Sequence, residues 1–137
     1  YPTGSFAYYV AGLVDGEGSV LFTKPHRDKL RCPQVSVANT KIELLLPFKA
    51  HFGGNISSKR TYKKHHTASY NWKVTHQKAL VCLKALLPAL RHPDKIRKAS
   101  LLLEKYTKIV KRNGKYSKSD LRAFKELEKD FFHPSTP

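Results

Sequence analysis

The stretch "YYVAGLVDGEGSV", residues 8 to 20, constrains this chain more than any other. From Ser5 to Asp15 the residues Phe6, Ala7, Val10, Ala11, Leu13 and Val14 cover most of a helical circumference rather than one stripe. That periodicity predicts a helix buried on more than one side, with Ser5 as its N-cap and Gly16 and Gly18 ending it. The last carbonyls of such a helix lack intrahelical partners, and the macrodipole makes that end partially negative. Asp15 and Glu17 are unfavourable there unless a cation arrives. By spacing alone they are either a solvated terminus or half of a divalent-metal site in which a free carbonyl, such as that of Gly16, joins a carboxylate.

The same helix carries small residues at Ala7, Ala11 and Gly12, which let another backbone come close. Two readings stay open: close packing in the core, or contact with the same helix of a second copy. In the second case two Glu17 side chains meet beside a two-fold axis, and divalent ions would relieve their repulsion.

The rest of the chain has the opposite sign. Its 137 residues hold 26 Lys and Arg against 10 Asp and Glu, a formal charge of +16, which points to a polyanion and above all to nucleic acid. A basic ribosome-bound structural protein is the alternative on charge alone. The length fits one domain, residues 1–137, and the 40% apolar content suffices for a core. Cys32 and Cys82 lack zinc-ligand spacing and read as free thiols in a reducing compartment. No apolar run approaches a membrane span. The N-terminus does not read as a charged-then-apolar leader, and a chain that begins at Tyr1 is expected to be a processed or trimmed form.

Strands are expected at Ser19 to Lys24 and Leu30 to Ala38, with "PHRD" as the turn, and at Asn55 to Lys59 and Ala68 to Thr75 around the basic loop "KRTYKKHH". Thr40 reads as the cap of a helix "KIELLLPFKAHF", kinked or ended near Pro47. Further helices are expected over about 76 to 87, about 93 to 111, and "SKSDLRAFKELEKDFF". The order implies an α+β fold: an antiparallel sheet with helices on one face and a free polar and basic face. Trp72, Tyr70 and Tyr8 read as core.

At "VAGLVDGEG", residues 10 to 18, the chain closely resembles the LAGLIDADG signature of homing endonucleases, and its element order is similar to that family's αββαββα domain over about residues 5–105. A C-terminal helical extension, about 106–133, lies outside the resemblance. The family's metal-binding acid falls on Glu17, where Asp is commoner, and Asp15 is implied to be mainly structural. A polar residue at the end of the second strand lands on Asn39, which is otherwise a turn residue. A lysine opening the helix after the second hairpin lands on Lys95, otherwise a surface lysine, with Lys98 as the rival one turn on. One motif per chain implies a homodimer, a roughly palindromic target in double-stranded DNA, and Mg²⁺ or Mn²⁺ held by Glu17 and Gly16.

The implied activity is metal-dependent hydrolysis of one phosphodiester in each strand, with Lys95 offsetting negative charge and Asn39 orienting water, in the service of intron or intein homing. Groove and phosphate contacts are expected from Thr23, Arg27, Lys29, Gln34 and Ser36, and from Ser57, Lys59, Asn71 and Lys73, with Arg60, Lys63 and Lys64 on the backbone. His65 and His66 read as further groove or phosphate contacts rather than metal ligands. The dimer interface is placed at Ala7, Ala11 and Gly12. The alternative within the same fold is a maturase that binds intron RNA, or a DNA-binding protein that does not cleave. Such proteins work inside cells, in an organelle or in bacterial or archaeal cytoplasm.

Overall fold

The computed structural model describes residues 5–59, 68–110 and 115–134. Helix α1 (Ser5–Glu17) passes directly into strand β1 (Gly18–Thr23). At Gly18 a Cβ would lie 2.8 and 2.9 Å from Val14 backbone atoms, so only glycine lets the chain fold back against the helix it has just left. The helix thus runs through Gly16 to Glu17 instead of stopping at Asp15. Ser5 is its first residue rather than its cap.

Strand β1 pairs antiparallel with β2 (Cys32–Asn39), and β3 (Asn55–Lys59) with β4 (Ser69–Thr75). The two hairpins join through β2 and β4, giving the order β1-β2-β4-β3. Between the hairpins the chain forms a 3-10 turn, Ile42–Leu44, and helix α2 (Leu46–Phe52). Thr40 is not the cap: Lys41 stands at the cap position of the 3-10 turn without a side-chain cap bond, and its amide donates to Asn39 Oδ1 at 2.9 Å. Pro47 begins α2 rather than kinking or ending it, because a residue without an N–H fits the first helical turn. Helix α3 (His76–Leu86) and a 3-10 turn, Leu87–Ala89, lead to α4 (Pro93–Leu101). This helix continues through a π-helical stretch, Leu102–Tyr106, into the short α5 (Thr107–Ile109); α6 (Lys118–Phe132) follows. The fold is α+β, with an antiparallel sheet carrying helices on one face.

Strand alternation decides what that face buries. Val20, Phe22, Val35, Val37, Trp72 and Val74 point to the helices and meet Val10, Ala11 and Val14 of α1 in one core. Trp72 is fully buried, packs its ring 4.9 Å from that of Phe48, and donates Nε1–H to the Gly53 carbonyl at 2.8 Å. A second aromatic group, Phe22, Tyr106, Phe124 and Phe131, ties α6 to the sheet. Ser117 caps α6 reciprocally with Asp120, at 3.1 and 2.9 Å. Among the described residues no helix is long and apolar enough to cross a membrane.

Candidate active site and nucleic-acid interface

Three elements converge on the C-terminal end of α1. Lys95, in the first turn of α4, donates its Nζ to the carbonyls of Val14 and Asp15 at 2.8 and 2.6 Å. These are orphan carbonyls at the negative end of the helix, so the ammonium satisfies both their hydrogen bonding and their field. Asp15 turns its carboxylate to the backbone amides of Arg91 and His92 at 2.9 and 3.1 Å. Those amides lead into α4, whose start is partially positive, so an acid misplaced for its own helix is well placed for the next one. His92 completes the junction as the cap of α4, its Nδ1 accepting from the Lys95 amide at 3.4 Å.

Glu17 remains exposed, and its carboxylate accepts from the Asn39 side-chain amide. Asn39 reaches it because, alternating with Gln34 and Ser36, it points to the helix side of the sheet where α1 ends. Its acceptor oxygen is taken by the Lys41 amide, so Asn39 holds the Glu17 carboxylate with one side-chain N–H and has the second left over. Lys98 belongs elsewhere: it pairs with Asp94 at 3.1 Å and lies 5.3 Å over the Phe131 ring. Gly16 is exposed, with open space where a side chain would stand. Among the described residues no three His, Cys, Asp or Glu gather into a metal cage. The two cysteines are buried and free, and burial raises both thiols, that of Cys82 to about 12.

The open sheet face assembles six of the twelve residues expected to touch DNA: Thr23, Gln34, Ser36, Ser57, Asn71 and Lys73. One rung runs Ser19, Ser36, Lys73, Asn55; the next joins Leu21, Gln34 and Thr75; a third joins Ala38, Asn71 and Ser57. Thr23 donates to Gln34 at 3.4 Å. Arg27 and Lys29 are exposed in the loop between β1 and β2. Lys59 ends β3, opposite Ser69. Arg60, Lys63, Lys64, His65 and His66 lie outside the described residues. Ser19, Asn55 and Thr75 belong to this face although the sequence reading names only their neighbours; strict alternation is the signal for them. Leu21 and Ala38 interrupt its polarity.

The exterior of α1 differs from the expected interface in one respect. Ala11 is fully buried within its own chain and belongs to the core, so it is not available to a second copy. Ala7 is half-buried. Gly12 is exposed, and nothing lies within 4 Å of where its Cβ would stand. Ser5, Tyr8, Gly12 and Gly16 form the outward stripe instead. Tyr8 is therefore not a core residue: it is 63% exposed, and Tyr9 beside it 49%.

These features define an α+β protein with an open polar sheet face and, at one helix end, an acid held by an asparagine beside carbonyls capped by a lysine. No family model and no curated protein sequence matches the chain. Solved structures do match. The homing endonuclease I-CvuI, in complex with its target in the presence of calcium, is 17% identical with a TM-score of 0.59, over 89% of this chain and 94% of that one. The homing endonuclease I-TnaI is 19% identical with a TM-score of 0.58, over 94% and 89%. The LAGLIDADG homing endonuclease I-GzeII, in complex with a DNA target, is 16% identical with a TM-score of 0.67; it covers 94% of this chain, which spans only 44% of I-GzeII. The chain has the LAGLIDADG endonuclease fold.

Proposed function

We propose that this chain is a single-motif LAGLIDADG homing endonuclease, a homodimer that cuts double-stranded DNA at a long, near-palindromic site with Mg²⁺ or Mn²⁺, and so promotes intron or intein homing. The observation that carries this reading is the junction at the end of α1, where the motif helix, β2 and α4 bring Glu17, Asn39 and Lys95 to one place. The described fold matches I-CvuI over 94% of that chain and I-GzeII over 44% of it.

The donor set fits a divalent ion shared between copies. Within one chain Glu17 is the acid left exposed at this end, Asp15 being engaged by two backbone amides, and the Gly16 carbonyl is the accompanying oxygen. Two such ends across the Gly12 face would supply two carboxylates. A cation bound there supplies Lewis acidity at a phosphate oxygen and acidifies water. Asn39 holds the Glu17 carboxylate in one orientation and keeps a second amide hydrogen for water. Lys95 cancels the negative helix end that would otherwise repel a scissile phosphate, and its third N–H is left to meet developing charge. The open sheet face fills a groove: a strand of about eight residues, at roughly 3.3 Å each, spans about 7 to 8 base pairs per protomer.

The test is selection of cleaved sequences from a randomised palindromic DNA library with Mg²⁺, with Glu17→Gln as the control. That substitution removes one charge and almost no volume, so folding, dimerisation and DNA binding should persist while cleavage disappears. Recovery of one long site cut only by the unmutated protein is the expected result. If neither protein cuts but both retain DNA or RNA, the binding-only or maturase reading replaces this one.

A further inference from the structure

Helix α6 separates its charges. Its buried side is Phe124, Leu127 and Phe131. At about 100° per residue, Lys118, Arg122, Lys125 and Lys129 fall within roughly 60° of arc on the opposite side, along about 16 Å of helix. All four are exposed. Three of its four acids are turned elsewhere: Glu128 lies 3.5 Å from Arg31, Asp130 pairs with Lys105 at 3.1 Å, and Asp120 is in the capping box, while the fourth, Glu126, is exposed beside the cationic row, about 40° round the helix from Arg122. Among the described residues no ion pair engages the four outward cations. The helix is also firmly seated, with Arg97 donating to the carbonyls of Asp130 and Phe131 at 2.7 and 3.1 Å.

We infer that the outer face of α6 is a second DNA site, sequence-indifferent and separate from the open sheet face, that takes the phosphate backbone of another duplex segment. Separation follows from the packing. Phe124 and Phe131 of α6 pack on Phe22, which lies on the helix-covered side of the sheet, so the four cations face away from the sheet. A straight duplex on the open face does not reach them. The ligand class follows from charge and shape. A rigid row of four unpaired cations matches a regular polyanion. The cationic arc itself holds no aromatic ring on which single-stranded bases would stack, and Phe132, exposed at its edge, has the Arg31 guanidinium 4.8 Å over its ring. The B-form major groove admits an α-helix, whereas the deep, narrow A-form groove does not, which favours duplex DNA over duplex RNA. This goes beyond the reading of the open face and requires no cleavage.

The experiment is a bridging assay in EDTA with the full chain: one duplex fixed to beads, a second labelled duplex in solution. Compared are the unmutated protein, the quadruple variant Lys118→Gln, Arg122→Gln, Lys125→Gln, Lys129→Gln, and a charge-keeping control with the three lysines changed to arginine. Recovery of the labelled duplex should fall at least tenfold in the glutamine variant and persist in the arginine variant, with helical circular dichroism unchanged in both. The salt dependence of bridging should weaken by about three to four in log–log slope, near 0.9 for each phosphate that is no longer neutralised. Binding of a single duplex through the open face should change less than threefold. The inference is overturned if the glutamine variant bridges like the unmutated protein, if the unmutated protein does not bridge, or if duplex RNA displaces the second segment better than duplex DNA of equal length.

Discussion

Replacing Lys95 by methionine keeps the aliphatic stem that crosses from α4 to the end of α1 and removes only the ammonium. Two hydrogen bonds go with it, to the Val14 and Asp15 carbonyls at 2.8 and 2.6 Å. Bonds from a charged donor contribute about 1.5–3 kcal/mol when buried, and a cation at a helix C-terminus typically about 0.3–1 kcal/mol. Lys95 is half-buried, so water can reach the freed carbonyls, and the combined loss should be about 2 kcal/mol. Unfolding entropy near 2.1 cal/mol/K per residue gives about 0.3 kcal/mol/K for 137 residues, so Tm should fall by about 7 °C. Thermal denaturation followed by circular dichroism reads this directly, and a cleavage assay well below Tm should show slower cutting with DNA affinity less affected. A Tm within 1–2 °C of the unmutated value would refute the idea that the ammonium holds the two elements together. Equal losses of binding and cutting would recast Lys95 as a phosphate clamp.

Gly12→Leu puts a side chain where one chain offers open space and improves helix propensity by up to about 1 kcal/mol, so the protomer should fold as well as before or better. Sedimentation should nonetheless show the dimer lost; a dimer of undiminished affinity would remove Gly12 from the interface. The guanidinium of Arg97, then Lys98, holds the Asp94 carboxyl below the usual carboxylate range. A depressed folded value stabilises above the unfolded pKa, near ~3.9, and that contribution is lost as pH falls through the folded value. Asp94→Asn should therefore lower stability in urea at pH 7 and cost progressively less as pH falls below about 4, and an effect that does not shrink with falling pH would show that the carboxylate charge is not what matters.

The reversal of sign at the motif helix has a general physical explanation. Asp15 sits at the negative end of α1 but is stabilised by the amides that lead into α4, while Lys95 from α4 stabilises the α1 carbonyls. Each element supplies the charge the other needs. Breaking either half should loosen the other, which makes Asp15 a positioning residue for Lys95 although it stands 80 positions away in the chain.

Periodicity and turn chemistry make the element order legible: the apolar motif helix, two hairpins, α3 and the capped α6 lie close to where local pattern puts them. The motif acid and the asparagine ending β2 are named through the resemblance to the LAGLIDADG signature, since local rules by themselves leave Glu17 at a helix end and Asn39 at a strand end without a role. Ala11 and Tyr8 escape such rules for one reason. A helix apolar around most of its circumference does not reveal which side meets its own chain, and only packing against the sheet shows that Ala11 is inside and Tyr8 outside. Pro47 carries the same lesson on a smaller scale, since a proline can end one helix or start the next until the flanking backbone is set.

What the sequence determined by itself, then, is whatever depends on neighbours within a few residues: helix and strand periods, the glycine that must follow Glu17, the alternation that makes one sheet face polar, and the excess of positive charge. What only the tertiary structure decided depends on distant segments meeting: that Asp15 accepts from Arg91 and His92, that Lys95 rather than Lys98 reaches α1, that Asn39 holds Glu17, and that α6 turns its four cations away from the sheet. Local conformation is set by backbone sterics and side-chain period, which act over a turn or two. The partner of a charge is set by which surfaces bury their apolar faces together, and that is a property of the whole core.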